Sequence, residues 1–181
     1  MRNRLKDTRC YLAGAMDRVP DAGAGWRKVI RHNLDDLGII WLDPTHKPIN
    51  VGVEDDESRR LRRLNKQAGE YDLVADEMDP IRAVDRRMVA VSDFLIVNID
   101  VEVHACGTYD EFSLANDQDK PILVHVEQGK QECPDWLFAC IPHEHIFGTW
   151  LELRKYLRHV AHDPIVDSMG RWMWFDWMGG E

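Results

Sequence analysis

Two acidic residues, Glu111 and Asp85, occupy positions where a carboxylate could do chemistry. Glu111 follows Gly107-Thr108-Tyr109-Asp110 at the predicted start of a helix, directly after a buried strand. The positive end of that helix predicts an ionised carboxylate, and a partly desolvated, ionised carboxylate can act as a nucleophile. A structural role is the alternative, because Thr108-x-x-Glu111 has the spacing of a capping box.

Asp85 lies on the apolar side of a second helix, which we predict to begin at Pro80 after the capping residue Asp79. Ile81 and Met88 mark the buried stripe of this helix, and Asp85 falls four residues after the first and three before the second. A carboxylate that faces a core costs free energy unless it is paired or hydrogen-bonded. Proton transfer is one explanation for Asp85, and pairing with an arginine or a backbone amide is the other.

Strand and helix signals alternate along the chain and must position these acids. Apolar, β-rich runs predict strands at residues 9–15, 39–42, 94–97, 122–124 and 145–147, with helices between them. This alternation predicts an α/β fold: a doubly wound, flavodoxin-like parallel five-stranded sheet in the order 2-1-3-4-5, with helices on both faces. The ligand cleft then lies at the carboxyl ends of strands one and three, over Gly14, Met16 and Asp17.

The length of 181 residues predicts a single domain over 1–181. Two segments differ from the rest in composition. A polar insertion at about 45–78 is predicted as a solvated helix with acid–base pairs, with a mobile lid as the alternative. A Trp-rich tail at about 165–181 is predicted to pack in the core or between subunits.

Charge and composition exclude several classes of ligand and partner. The net charge of −9 opposes the phosphate contacts that a nucleic-acid binder needs, so we expect a small-molecule ligand. No apolar run reaches the roughly 20 residues that span a bilayer, and the basic N-terminus lacks the apolar core of a secretory signal. Four cysteines without a CxxC pair suit a reducing compartment. We expect a cytoplasmic protein with neither membrane nor nucleic-acid partners.

Signals for bound metals and common cofactors are weak. Cys133, Cys140, His143 and His145 have a spacing that matches no usual zinc site, so we predict no metal. Neither GxGxxG nor a phosphate-binding P-loop occurs in the sequence. Dinucleotide and triphosphate binding therefore have no direct support.

Three motifs together resemble a known enzyme family. They are Tyr11-Leu12-Ala13-Gly14 on the first strand, Asp85 eight residues before Asp93, and GTYDEFSLA with its glycine four residues before Glu111. In order and spacing, these motifs resemble the nucleoside 2-deoxyribosyltransferases and the related deoxynucleoside monophosphate N-glycosidases. The resemblance extends from about Tyr11 to Val124.

The resemblance implies a role for each residue of the motifs. The residue matching Glu111 attacks the anomeric carbon of a 2′-deoxynucleoside, giving a covalent deoxyribosyl-enzyme and a free base, and a second base then attacks. The residue matching Asp85 handles the proton on the base, and the tyrosine matching Tyr11 orients the nucleophile. No metal or organic cofactor is implied. Two successive inversions at one carboxylate retain the sugar configuration.

Substrate recognition is less defined by the motifs. The predicted substrate-binding residues are Gly14, Met16, Asp17, His46, His104 and Gly107. Many of the transferases have an aspartate six residues before the nucleophile, and the hydrolases often have a serine there. Here that position is Ala105, for which the neighbouring His104 could compensate. The choice between a nucleoside and a nucleotide therefore stays open.

The leading functional prediction is transfer of a 2-deoxyribosyl group between nucleobases through a covalent glycosyl-enzyme intermediate. The alternatives are an N-glycosidase that hydrolyses deoxynucleoside 5′-monophosphates and a non-catalytic nucleotide-binding module in which Glu111 only caps its helix. The expected partners are a nucleoside or nucleotide and a free nucleobase. By the same resemblance, we expect a homo-oligomer in which the C-terminal tail completes a subunit interface.

Overall fold

Five parallel strands form the centre of the structure, a computed structural model that describes residues 3–52, 54–162 and 171–172. The strands are β1 (Arg9–Gly14), β2 (Ile40–Leu42), β3 (Phe94–Ile99), β4 (Ile122–Val126) and β5 (Ile146–Phe147). They pair in the order β2-β1-β3-β4-β5. The predicted doubly wound topology is confirmed, because the strand order reverses at β1.

Helices cover both faces of the sheet. They are α1 (Ala24–Asn33), α2 (Asp56–Ala68), α3 (Tyr71–Val91), α4 (Cys106–Asp117), α5 (Asp135–Cys140) and α6 (Trp150–His162). One apolar core joins α1 and α6 to the sheet, and a second joins α3, α4 and α5 to the opposite face. The three central strands, β1, β3 and β4, are buried on both sides, which explains their continuous apolar runs.

The pleat of β1 decides which side chain faces the site. Successive side chains of a strand point to opposite faces, so Leu12 enters the core under α1 and α6 while Tyr11 enters the core under α3 and α4. At the end of the strand, Gly14 pairs with Asn98 of β3. The switch point therefore lies between β1 and β3, with the phenol of Tyr11 on the side of α4.

The helix that carries Asp85 is longer than its sequence predicts. A start at Pro80 is wrong, because α3 begins at Tyr71 and contains Pro80 in its interior. A proline inside a helix costs about 3 kcal/mol, which packing must offset. Gly52 lies against this turn so closely that a Cβ atom there would come within 2.9 Å of the Pro80 carbonyl oxygen. Tertiary contact has overridden the local preference of proline for a first turn.

The polar insertion contains the solvated helix predicted for it. In α2, Asp56 pairs with Arg59 and Glu57 with Arg60, each three residues apart. Arg62 is 6% exposed and ties α2 to its surroundings through carboxylates outside that helix. These partners are Glu54 at 3.0 Å and Glu77 at 2.7 Å.

Only two residues of the Trp-rich tail belong to the described part of the chain. Trp172 is fully buried in the core of its own chain, and its indole nitrogen donates to the hydroxyl of Tyr156 at 2.9 Å. The rest of the tail predicted at about 165–181 lies outside the described residues. Within residues 3–52, 54–162 and 171–172, every helix is too short or too polar to cross a lipid bilayer.

Candidate active site

Glu111 is hydrogen-bonded to Tyr11 across the switch point. The Tyr11 hydroxyl donates to Glu111 Oε1 over 2.6 Å, within the range of a strong hydrogen bond to a carboxylate. Tyr11 is fully buried, so the packing of β1 fixes its ring. Burial and the nearby carboxylates raise the pKa of Tyr11 well above its usual value, which keeps the hydroxyl a donor.

The capping role that the sequence allows for Glu111 is not formed. Helix α4 begins at Cys106 with Ala105 at its N-cap and no side-chain capping bond, so the prediction of a helix over 109–117 with Thr108 as its N-cap is wrong at its start. Thr108 is instead a buried residue inside the first turns of the helix. Gly107 also belongs to the first turn of the helix. Glu111 is thereby free to reach Tyr11 on β1.

Burial, the largest influence on Glu111, raises the pKa of this carboxyl to about 8. The hydrogen bond from Tyr11 and the charge of Arg27 act in the opposite direction, while the charge of Asp85 raises the pKa further. Desolvation opposes and outweighs the effect of the helix end, from which an ionised carboxylate was expected. Burial therefore favours the protonated form of Glu111 over the carboxylate.

Asp85 points inward as the helical stripe predicts, and its partner is a lysine. The side chain of Asp85 is 13% exposed, and its Oδ1 lies 2.8 Å from the Nζ of Lys47. Burial raises the pKa of Asp85, and the Lys47 ammonium offsets part of that rise. Two arginines of α3 bind elsewhere: Arg86 contacts Asp110 at 2.8 Å, and Arg82 lies 3.6 Å from the same carboxylate.

A buried arginine supports the end of β1 from the other side. Arg27 is fully buried, and its guanidinium donates to the carbonyl oxygens of Leu12, Gly14 and Gly23 at 3.2, 2.9 and 2.9 Å. Gly23 has a φ of 71° and is so close to Arg27 that a Cβ atom would clash with the guanidinium. The charge of Arg27 lowers the pKa of both Asp85 and Glu111. It is a fixed positive charge beside the two acids.

The structure brings Tyr11, Asp85 and Glu111 together but not the remaining predicted residues. The charge of Asp85 raises the pKa of both Tyr11 and Glu111, and the charge of Glu111 raises the pKa of Tyr11. Gly14 is buried at the end of β1, where a Cβ atom would stand 2.9 Å from the ring of Trp26. Met16 is half-buried and Asp17 exposed in the loop after β1.

The two predicted histidines and Gly107 lie at the periphery. His46 is exposed and faces Thr45 and Asp43, with its Nδ1 2.8 Å from the threonine hydroxyl. His104 is exposed just before α4. Open space surrounds the position of a Cβ atom on Gly107, as far as the described residues show. None of these residues hydrogen-bonds to Tyr11, Asp85 or Glu111 within the described part of the chain.

Sequence reasoning missed Lys47 and Arg27. Arg27 lies three residues before Ile30 and seven before Leu34, on the buried side of α1, and that spacing could have revealed it. Val29, an apolar residue of the same helix, is instead 55% exposed. Lys47 belongs to the polar insertion, far from Asp85 in sequence. The sequence indicates such a residue only indirectly, because a buried Asp85 requires a positively charged or hydrogen-bonding partner.

Possible ligand sites elsewhere are sparse. No three His, Cys, Asp or Glu side chains are grouped to hold a metal ion among the residues that the structure describes. A surface cavity of about 570 Å³ lies beside the edge strand β5, lined by Lys130, Glu144 and Glu152 among others. It shares no residue with the Tyr11, Asp85 and Glu111 group.

No protein-family model matches the chain, and neither does any curated protein. The case for a function thus depends on the geometry of the site and on the motifs that led to it.

Proposed function

We propose that the protein transfers a 2-deoxyribosyl group between nucleobases through a covalent intermediate on Glu111. The observation that carries the proposal is the 2.6 Å hydrogen bond from Tyr11 to Glu111 Oε1, with Asp85 close enough to influence both groups. A nucleophile, a residue that orients it and a second carboxyl for proton transfer are the parts that such a reaction needs.

In the first half of the reaction, a carboxylate oxygen of Glu111 forms a bond to C1′ of the deoxyribose. The C1′–N bond breaks, and its electron pair leaves with the base. Because positive charge develops on the sugar in the transition state, a nearby carboxylate stabilises it. Tyr11 holds Oε1, so the opposite oxygen, Oε2, is left to attack.

The proton balance of this step fits a resting site with one proton on its two acids. Glu111 must lose its proton to attack, and the departing base must gain one. The sum is therefore Glu111–COOH plus nucleoside giving a glycosyl ester plus the neutral free base, which now bears the proton as an N–H. Asp85 is the group that relays the proton, and no proton from solvent is needed.

In the second half, another nucleobase attacks C1′ and displaces Glu111, which recovers its proton. Each half inverts the anomeric carbon, so the product keeps the configuration of the substrate. Water can attack the same intermediate in place of a base, which would give hydrolysis of a nucleoside or of its 5′-monophosphate. Pocket shape and acceptor binding decide between these fates.

Turnover with and without an acceptor tests the proposal. The protein is incubated with a 2′-deoxynucleoside, with and without a second free base, and then with the 5′-monophosphate, and products are separated by chromatography. We expect a new deoxynucleoside that forms only when the second base is present. Free base and sugar phosphate without an acceptor would instead indicate the N-glycosidase.

Two variants make this assay specific to the site. Glu111→Gln keeps the shape of the side chain and should remove turnover. Asp117→Asn changes an exposed carboxylate on the same helix and should leave turnover unchanged. Saturable nucleotide binding without turnover in the wild type would contradict the enzyme and favour the binding module.

A further inference from the structure

Lys47 is a buried ammonium with a single partner. Its side chain is 1% exposed, and its Nζ lies 2.8 Å from Asp85 Oδ1. Neither atom has another hydrogen-bond partner among the described residues. A buried charge of this kind is costly unless it is paired, so the two groups depend on each other for their ionised forms.

The charged surroundings of the two acids come from several elements. Asp85 is influenced by Lys47 from the loop after β2, by Glu54 before α2, and by Arg27 of α1. Glu111 is influenced by Tyr11 of β1, by Arg27, by Asp85 of α3 and by its neighbour Asp110. Lys47 therefore acts on Asp85 directly and reaches Glu111 through Asp85.

We propose that Lys47 is a positioning residue of this site, which holds Asp85 ionised and so leaves the single proton of the two acids on Glu111 until a base departs. The inference deepens the function proposed above and rests on it for its catalytic meaning. Lys47 then determines which of the two acids holds the proton, although Lys47 itself contacts neither the substrate nor Glu111.

This arrangement explains how one proton serves the reaction. When the sugar carbon approaches, developing positive charge favours the ionised form of Glu111, and the proton moves to Asp85. Because the Lys47 ammonium favours the carboxylate of Asp85, the proton is held weakly there and passes to the leaving nitrogen. The O–H bond of Glu111 breaks, a base N–H bond forms, and Asp85 returns to its resting state.

The test measures the ionisation of Glu111 in the Lys47→Met variant as a function of pH. Isotope-edited infrared spectroscopy detects the glutamate carboxyl, and no substrate is present. Loss of the ammonium lets Asp85 take up a proton, which removes its negative charge from the surroundings of Glu111. The pKa of Glu111 should then fall by about one pH unit or more. Removal of a positive charge would ordinarily raise the pKa of a carboxyl, so the sign is diagnostic.

Two further variants complete the cycle. Lys66→Met removes an exposed lysine of α2 and should leave the titration of Glu111 unchanged. Asp85→Asn alone should lower the pKa of Glu111. Adding Lys47→Met to that variant should lower this pKa no further, because Lys47 acts on Glu111 through the carboxylate of Asp85.

Three outcomes would overturn the inference. One is an unchanged or raised pKa of Glu111 in folded Lys47→Met. Another is a second, additive shift in the double variant. The third is failure of Lys47→Met to fold at pH 5, because Asp85 should there neutralise itself by protonation. All of these readouts use the unliganded protein, so they stand apart from failure of the turnover assay.

Discussion

The hydrogen bond between Tyr11 and Glu111 gives the sharpest kinetic prediction. Tyr11→Phe removes one hydroxyl from a fully buried ring and leaves the packing of β1 in place. The lost bond is 2.6 Å long and connects a phenol to the proposed nucleophile. A hydrogen bond to a charged group contributes about 1.5 to 3 kcal/mol.

This free energy converts directly to a rate. The bond stabilises the ionised form of Glu111, which attacks the sugar, more than the protonated resting form. With about 1.4 kcal/mol per factor of ten, kcat/KM should fall roughly ten- to hundredfold. Because the bond from Tyr11 lowers the pKa of Glu111, its loss should also move this pKa above its present value of about 8.

The pH profile separates this explanation from a general loss of structure. The reaction uses the proton shared by Glu111 and Asp85, so kcat/KM of the wild type should decline above about pH 8. In Tyr11→Phe the maximum should be lower, and the alkaline decline should begin at higher pH. A variant with full activity, or one with lower activity and an unmoved alkaline limb, would refute the assigned role of Tyr11.

Two predictions concern stability. The pKa of Glu111 is raised from 4.5 to about 8, so the folded state binds this proton more tightly than the unfolded state does. The free energy of unfolding should therefore decline as the pH rises between those two values, by at most roughly 5 kcal/mol. Glu111→Gln should remove that decline in urea unfolding from pH 4 to 9, and parallel curves for both proteins would contradict it. Arg27→Met should cost about 3 to 5 kcal/mol, because four backbone carbonyls lose a donor and the buried carboxylate of Asp43 loses a positive charge. As a control, Lys28→Met changes an exposed residue of the same helix and should alter the free energy of unfolding by under about 0.5 kcal/mol. An equally small effect of Arg27→Met would disprove the supporting role of Arg27.

The sheet was predictable because its signals are local. Phe94 to Val97 form a continuous apolar run, and a strand buried on both faces requires one. Short connections and alternating helices then restrict the topology to few arrangements. Strand order and the position of the switch point followed from these patterns, and the structure confirms both.

The contact between Tyr11 and Glu111 was predictable only through the resemblance. The two residues are 100 positions apart, and no periodicity within either element reports their distance. The local signal around Glu111 favoured a capping box, which the structure does not form. Once α4 begins at Cys106 rather than at Thr108, the glutamate turns from its own helix terminus toward the sheet.

The ionisation of the site could not be predicted from sequence. The helix terminus was expected to keep Glu111 ionised, but the cost of desolvation raises the pKa of this carboxyl. That cost depends on how many atoms surround the carboxyl. The pairing of Asp85 with Lys47 likewise depends on how the insertion folds back over α3, and arginines nearer in sequence were the apparent candidates.

Helix boundaries also depended on tertiary contact. Pro80 carries a strong local preference for the first turn of a helix, yet α3 continues nine residues before it. The preceding turns include Glu77, which binds Arg62 of α2. Contacts between α2 and α3 can therefore sustain helix where the sequence alone indicates a start.

Covalent trapping tests the central claim most directly. A 2′-deoxynucleoside analogue with fluorine at C2′ slows release of the sugar, because fluorine destabilises the positive charge in the transition state. After incubation, proteolysis and mass spectrometry should show one fluorinated sugar on the peptide that contains Glu111, and none in Glu111→Gln. A label on another residue, or turnover that survives in Glu111→Gln, would contradict the account.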